Sequence, residues 1–332
     1  MLRIMMITQH YRDDLRTLLE QHTRFAIFGH DSPDGDAIGS MLGLWRLLEK
    51  QDKEVSYFAY PYIPRSFDVI EGAARIQTSF DYAEYDVLVF VDFSDYPRTH
   101  FSFGREDYFD QHKILVIDHH LWSTPKHALV FKDTEADSNC EWIFELTRDL
   151  RSDYYDEQVA SYLYMGLLTD TGNFHHDKQW SRSLHNAAAL VDLWADKAWL
   201  TQHFFGSFQT EQLVFLQQVL PKLVVNDQGI AYILYSKTDY ESLGLEKTEA
   251  AWFLTSMVQK IVGLRFVLIA RYDDASLKIS FRSKDPDLSA EEIARARGGW
   301  GHFYAAGTKI LLKQGQEPTS ILQEIVDHML AQ

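Results

Sequence analysis

Three short apolar runs, each closing on residues that can bind a cation, constrain the fold of this 332-residue chain more than any other feature. RFAIFGH (24–30), DVLVFVD (86–92) and KILVID (113–118) are nearly continuous in apolar side chains. That is the pattern of strands covered on both faces. KEVSYFAY (53–60) reads as a fourth strand. Stretches with helical spacing alternate with them: 11–22, then 36–50 with Ala37, Met41, Leu44 and Leu48 on one side, then 139–150 and 156–170. Residues 181–196 continue the series, with Ser181 read as an N-cap. Strands alternating with helices predict an α/β fold with a mainly parallel sheet flanked by helices.

A second, smaller α/β unit is expected from about Leu213, with strands at 229–236, 264–272 and 276–283. The intervening stretch reads as a linker. The expected organisation is therefore a domain over 1–190, a hinge over 191–212 and a domain over 213–332, with a cleft between the two.

The carboxylates fall where such a sheet gathers its strand ends. Asp34 and Asp36 follow the first strand, Asp92 ends the next clear one, and Asp118, His119 and His120 end the one after that. Asp170 closes the segment 156–170. The carboxyl ends of parallel strands share one edge, where ligand sites collect. Two unit charges about 4 Å apart repel by about 4 kcal/mol at an effective dielectric near 20, so four such carboxylates in one place need cations. Oxygen and imidazole donors suit manganese or magnesium better than a thiolate-preferring metal. Two divalent ions would balance Asp34, Asp36, Asp92 and Asp170, and could grip a phosphate between them.

Composition sets limits on partners. The formal net charge is −16, which disfavours binding to long duplex nucleic acid but leaves small anionic substrates open. Cys140 is the single cysteine, so no intramolecular disulfide forms, in keeping with a reducing compartment. The apolar runs are too short to span a bilayer, and the N-terminal residues lack a signal-peptide pattern. No membrane partner and a cytoplasmic location are the expectations.

HDSPDGDAIGS, VDFSD, DHH and TDTGNF, in that order, resemble the motifs of the DHH phosphoesterase family. SFRSKD (280–285) and GGWGHFYAAG (298–307) resemble the domain that usually follows in that family. The resemblance implies one metal on His30, Asp34 and Asp92, and a second on Asp36, Asp92, His119 and Asp170, with Asp92 bridging. It places His120 at the scissile phosphate and Asp118 behind a histidine. Substrate contacts are implied for Arg282, Ser283, Gly298, Gly299, Gly301 and His302. Trp300 interrupts the glycine run usual before the histidine, and either stacks on a base or packs.

Within the family the chain is most similar to the stand-alone NrnA-type branch. That similarity implies a manganese-dependent hydrolase of very short oligoribonucleotides and of 3′-phosphoadenosine 5′-phosphate (pAp). Magnesium or cobalt are the alternative ions, and the resemblance allows a homodimer. The rival readings are a cyclic di-AMP or linear dinucleotide phosphodiesterase, an inorganic pyrophosphatase or exopolyphosphatase, and a non-catalytic nucleotide sensor.

Overall fold

The computed structural model describes residues 2–31, 33–60, 63–93, 99, 112–120, 128–149, 154–175, 180–301 and 303–330. The chain divides into two compact units, Met1–Ser207 and Phe208–Gln332.

The first unit is built on five parallel strands, β1 (Arg24–Phe28), β2 (Glu54–Phe58), β3 (Val87–Val91), β4 (Lys113–Asp118) and β5 (Leu129–Lys132), in the order β2-β1-β3-β4-β5. Alternate residues of the central strands feed two cores. Phe25, Ile27, Val87 and Val89 pack with the helices α1 (Leu2–Gln21), α2 (Gly35–Glu49), α3 (Asn139–Thr147) and α4 (Glu157–Asp170). Ala26, Phe28, Leu88 and Phe90 form the other core with Phe58, Phe93, Ile114 and Val116. This double burial is why the strand sequences read as unbroken apolar runs. Because β1 is flanked by β2 on one side and β3 on the other, the topology reverses between β1 and β3. His30 and Asp92 follow those two strands, where α/β sheets bind their ligands.

Two further helices complete this unit, α5 (Trp180–Asp192) and α6 (Lys197–Phe205). Ser181 lies within α5 rather than capping it. Much of the stretch read as a linker is α6, whose Leu200 is buried in the first core.

The second unit holds a mixed sheet. Its strands are β6 (Val224–Val225), β7 (Ile230–Ser236), β8 (Phe266–Tyr272), β9 (Ser276–Ser283), β10 (Trp300–Gly301) and β11 (Ala305–Leu311), in the order β10-β11-β9-β8-β7-β6. Only β7 and β8 pair in parallel; the other pairings are antiparallel. Leu268, Ala270, Ile279 and Phe281 meet α10 (Ala290–Arg295) and α11 (Pro318–Leu330) on one face. Ala231, Ile233, Val267 and Ile269 meet α7 (Thr210–Val219), α8 (Lys237–Glu241) and α9 (Lys247–Val258) on the other. Among the described residues, no helix is long and apolar enough to cross a membrane.

Candidate metal centre

The turn after β1 delivers three of the expected residues. His30 is buried, and its Nδ1–H donates to the Asp31 carbonyl at 2.8 Å. Asp34 caps α2, its Oδ1 accepting the N–H groups of Asp36 and Ala37 at 3.1 Å each. Asp36 lies on the first turn of α2, buried to 1% exposure. Its carboxylate takes the N–H groups that open α3, Asn139 at 2.6 Å and Cys140 at 2.9 Å. A helix N-terminus favours an anion there.

Close packing of α2 on α4 brings Asp170, the last residue of α4, to the same place. Gly35, Gly39 and Gly43 recur every fourth residue of α2, and a Cβ on any of them would strike Thr169, Tyr162 or Leu163 of α4. Gly166 of α4 is equally confined, with no room for a Cβ beside Cys140 and Asp36.

Asp92 follows β3 in the left-handed region, at φ 50°, which costs energy for a residue other than glycine. Its two oxygens face different histidines. Oδ2 is 3.4 Å from His30 Nε2, and Oδ1 is 3.4 Å from both His119 Nε2 and His120 Nδ1. His119 Nε2 also lies 3.7 Å from Asp36 Oδ2 and 3.7 Å from Asp170 Oδ2. His119 Nδ1–H donates to the Ala136 carbonyl at 3.2 Å.

These contacts place acceptors against acceptors. With Nδ1–H committed to a carbonyl, the Nε2 of a neutral His30 or His119 carries a lone pair, and both lone pairs point at carboxylates. Separations of 3.4–3.8 Å are longer than good N–H···O hydrogen bonds. They are close to the spacing of donor atoms around one ion, about 3.0–3.4 Å for bonds of about 2.1 Å. Asp92 Oδ1 is buried without a hydrogen-bond donor. The donors fall into three groups whose ligating atoms lie within 4.8 Å of one another: His30–Asp34–Asp92, Asp36–His119–Asp170 and Asp92–His119–His120. This donor chemistry fits divalent cations, and Asp92 is shared between groups.

The electrostatics set burial against neighbouring charge at each of these groups. Burial, with Asp92 and Asp170 close by, holds Asp36 well above the carboxylate range. Burial pushes Asp170 up to about 6 against the pull of His119. Burial would also raise Asp92, but His119 and His30 outweigh it and hold it well below the ordinary value. For His119 the surrounding carboxylates outweigh burial and hold its imidazole well above its usual range. A cation among these groups would relieve the conflict.

Asp118 organises the end of β4. Its Oδ1 accepts the N–H groups of Phe93 (3.3 Å), His119 (3.0 Å) and His120 (3.3 Å), and the Nδ1–H of His120 at 2.9 Å. The histidine it orients is therefore His120. Asp118 is a ligand in none of the three groups.

In the second unit, Arg282 stands on β9 opposite Ala305 of β11, and its Nη1 donates to the Phe281 carbonyl at 2.8 Å. Burial lowers its pKa, and among the described residues no carboxylate pairs with it. Ser283 is buried, its hydroxyl donating to the Asp285 carbonyl and accepting the Asp285 N–H. Gly298 adopts φ 71°, while a Cβ on Gly299 or Gly301 would lie 2.3 Å from β11. These glycines let the short strand β10 lie against β11. Trp300 is 67% exposed, and His302 lies outside the described residues.

Residues 24–167 match the DHH family, N-terminal domain. The first unit of the chain carries a DHH-family domain. Among its DHH relatives, the bifunctional oligoribonuclease and PAP phosphatase NrnA of Bacillus subtilis is 24% identical over 286 residues, 85% of this chain and 87% of that one. An exopolyphosphatase-related protein from Bacteroides fragilis shares the fold over 96% of both chains, with a TM-score of 0.83 and 23% identity. RecJ from Thermus thermophilus, solved in complex with Mn2+, aligns with a TM-score of 0.55 and 18% identity, over 98% of this chain and 55% of its own.

Two supporting groups in this DHH centre carried no sequence signal. The carbonyls of Asp31 and Ala136, which set the tautomers of His30 and His119, are backbone atoms and depend only on chain path.

Proposed function

We propose that the chain is a two-metal hydrolase that releases mononucleotides from very short oligoribonucleotides and removes the 3′-phosphate of pAp. The observation that carries this reading is the divided carboxylate of Asp92, with one oxygen toward His30 and the other toward His119. His30, Asp34 and Asp92 would hold one ion; Asp36, Asp92, His119 and Asp170 would hold the second. The chemistry such a pair supplies when bound is Lewis-acid polarisation of a phosphoryl oxygen and acidification of a water. Manganese is favoured by the mixed imidazole and carboxylate donors, with magnesium or cobalt as substitutes.

The remaining work falls to the chain's own side chains. His120, held by Asp118, presents a fixed ring that holds or passes a proton at the phosphate oxygens. Among the described residues Arg282 has no carboxylate partner, and it has the planar fork that grips phosphate in two places. Gly298 and Gly299 spend their N–H groups on the carbonyls of Arg295 (3.1 Å) and Ala294 (2.8 Å), so with Gly301 they would serve the substrate by letting it approach the bare chain closely, and His302 would add a donor beside them. The name of the Bacillus subtilis relative supports short oligoribonucleotides and pAp as the substrate class.

A substrate panel with Mn2+ tests the reading. It should contain a 5′-phosphorylated dinucleotide, pAp, cyclic di-AMP, its linear form and pyrophosphate. Turnover of the dinucleotide and pAp is expected; turnover of pyrophosphate alone would refute the nucleotide assignment.

A further inference from the structure

The segment 133–140 supports half of the candidate metal centre through its backbone. Ala136 fixes the tautomer of His119 through its carbonyl, and the N–H groups of Asn139 and Cys140 aim the carboxylate of Asp36. The segment is in turn held by one face of α5. Arg182 donates to Asp133 Oδ2 at 2.7 Å and to both oxygens of Glu145, at 2.9 and 2.7 Å. Asp133 uses its other oxygen to accept the Glu135 N–H at 3.0 Å, closing the turn that carries Ala136. Ser183 donates to Asp137. Asn186, one turn further on, donates to Glu141 Oε1 at 2.9 Å and Glu145 Oε1 at 2.8 Å, and Glu141 Oε2 accepts the Asp137 N–H at 2.8 Å.

Both ends of the supporting segment are thus clasped from α5. The arrangement is built into the interior: Ser183, Asn186, Asp137 and Glu141 are buried. His30 and Asp34 are held differently, through Asp31 and the first turn of α2.

We infer that Arg182, with Ser183 and Asn186, positions the Asp36–His119–Asp170 half of the centre, and that its loss weakens one metal site selectively. The inference rests on the two-metal reading above. Arg182 touches no reacting atom; it acts through the backbone groups that orient His119 and Asp36.

Calorimetric titration of the full chain with Mn2+ tests this, using wild type, Arg182→Met and Ser183→Ala, with thermal midpoints recorded alongside. The wild type should bind two ions. In each variant one ion should bind within about threefold of wild type, and the other about 10–100-fold more weakly, the usual effect of losing an outer support. Wild-type binding of both ions, with or without a lowered midpoint, would overturn the inference, as would equal weakening of both. Should Arg182→Met fail to fold, Ser183→Ala, which removes a single hydrogen bond, decides by the same criteria. A wild type that binds no Mn2+ would defeat the two-metal reading itself, a result distinct from failure of the positioning role.

Discussion

A Cβ built on Gly39 of α2 would stand 2.5 Å from the backbone carbonyl oxygen of Tyr162 on α4. The two helices approach this closely because α2 offers glycine at the contact. The same approach sets Asp36, three residues before Gly39, against the end of α4 that carries Asp170. Gly39→Ala must separate the helices, and overpacking of this kind costs about 1–3 kcal/mol. The urea midpoint should fall without a change in slope, and Mn2+ affinity should fall with it. A wild-type midpoint would remove the helix contact from the account.

Asp92→Ala should abolish turnover and metal retention together, because one carboxylate serves both halves of the proposed centre. Metal content after dialysis, measured by elemental analysis, checks this. Two ions retained per chain would contradict the shared role.

Asp118 and His120 belong to a separable part of the site. Asp118→Asn loosens the ring of His120 without removing a proposed ligand. The expected result is a kcat lower by about 10²-fold, the lower end of what a positioned proton carrier contributes. Bound metal should stay at the wild-type level. Loss of metal with unchanged kcat per bound ion would place Asp118 in metal binding instead.

Stability should depend on pH in opposite senses with and without metal. Burial pushes Asp170 up to about 6, above the ordinary carboxylate value. Its protonation therefore stabilises the metal-free fold at low pH, and that contribution is lost as pH rises through about 6. Asp92, held well below the ordinary range, acts in the opposite sense but at lower pH. Metal binding requires deprotonated carboxylates, so its stabilisation grows with pH. Thermal midpoints should fall between about pH 4 and about pH 6 in chelator, while the upward shift given by Mn2+ increases over that interval. A metal-free protein that gains stability from about pH 4 to about pH 6 would oppose this.

Arg282→Ala should raise KM for phosphorylated substrates with a smaller effect on kcat, because the guanidinium is proposed to bind rather than react. Steady-state kinetics on pAp supply the check; an unchanged KM would exclude Arg282 from the substrate site.

The strand ends and their acidic residues were legible because burial on both faces forces a continuous apolar run, and the change to Asp or His at its end stands out. The four-residue β5 at the sheet edge was not, since LVFK is too short and too mixed to separate from a turn. Glu141 and Glu145, and likewise Arg182 and Asn186, have one-turn spacing visible in the sequence, but their pairing across α3 and α5 depends on packing that no local pattern encodes. The roles of Asp31 and Ala136 run through carbonyls that every residue possesses. The left-handed backbone at Asp92 was equally silent, because nothing in VLVFVD marks its last residue as strained.

Anomalous diffraction from crystals grown with Mn2+ tests the central claim most directly. Two peaks are predicted, one beside each oxygen of Asp92, with His30 and His119 on opposite sides. A single peak, or peaks remote from Asp92, would contradict it.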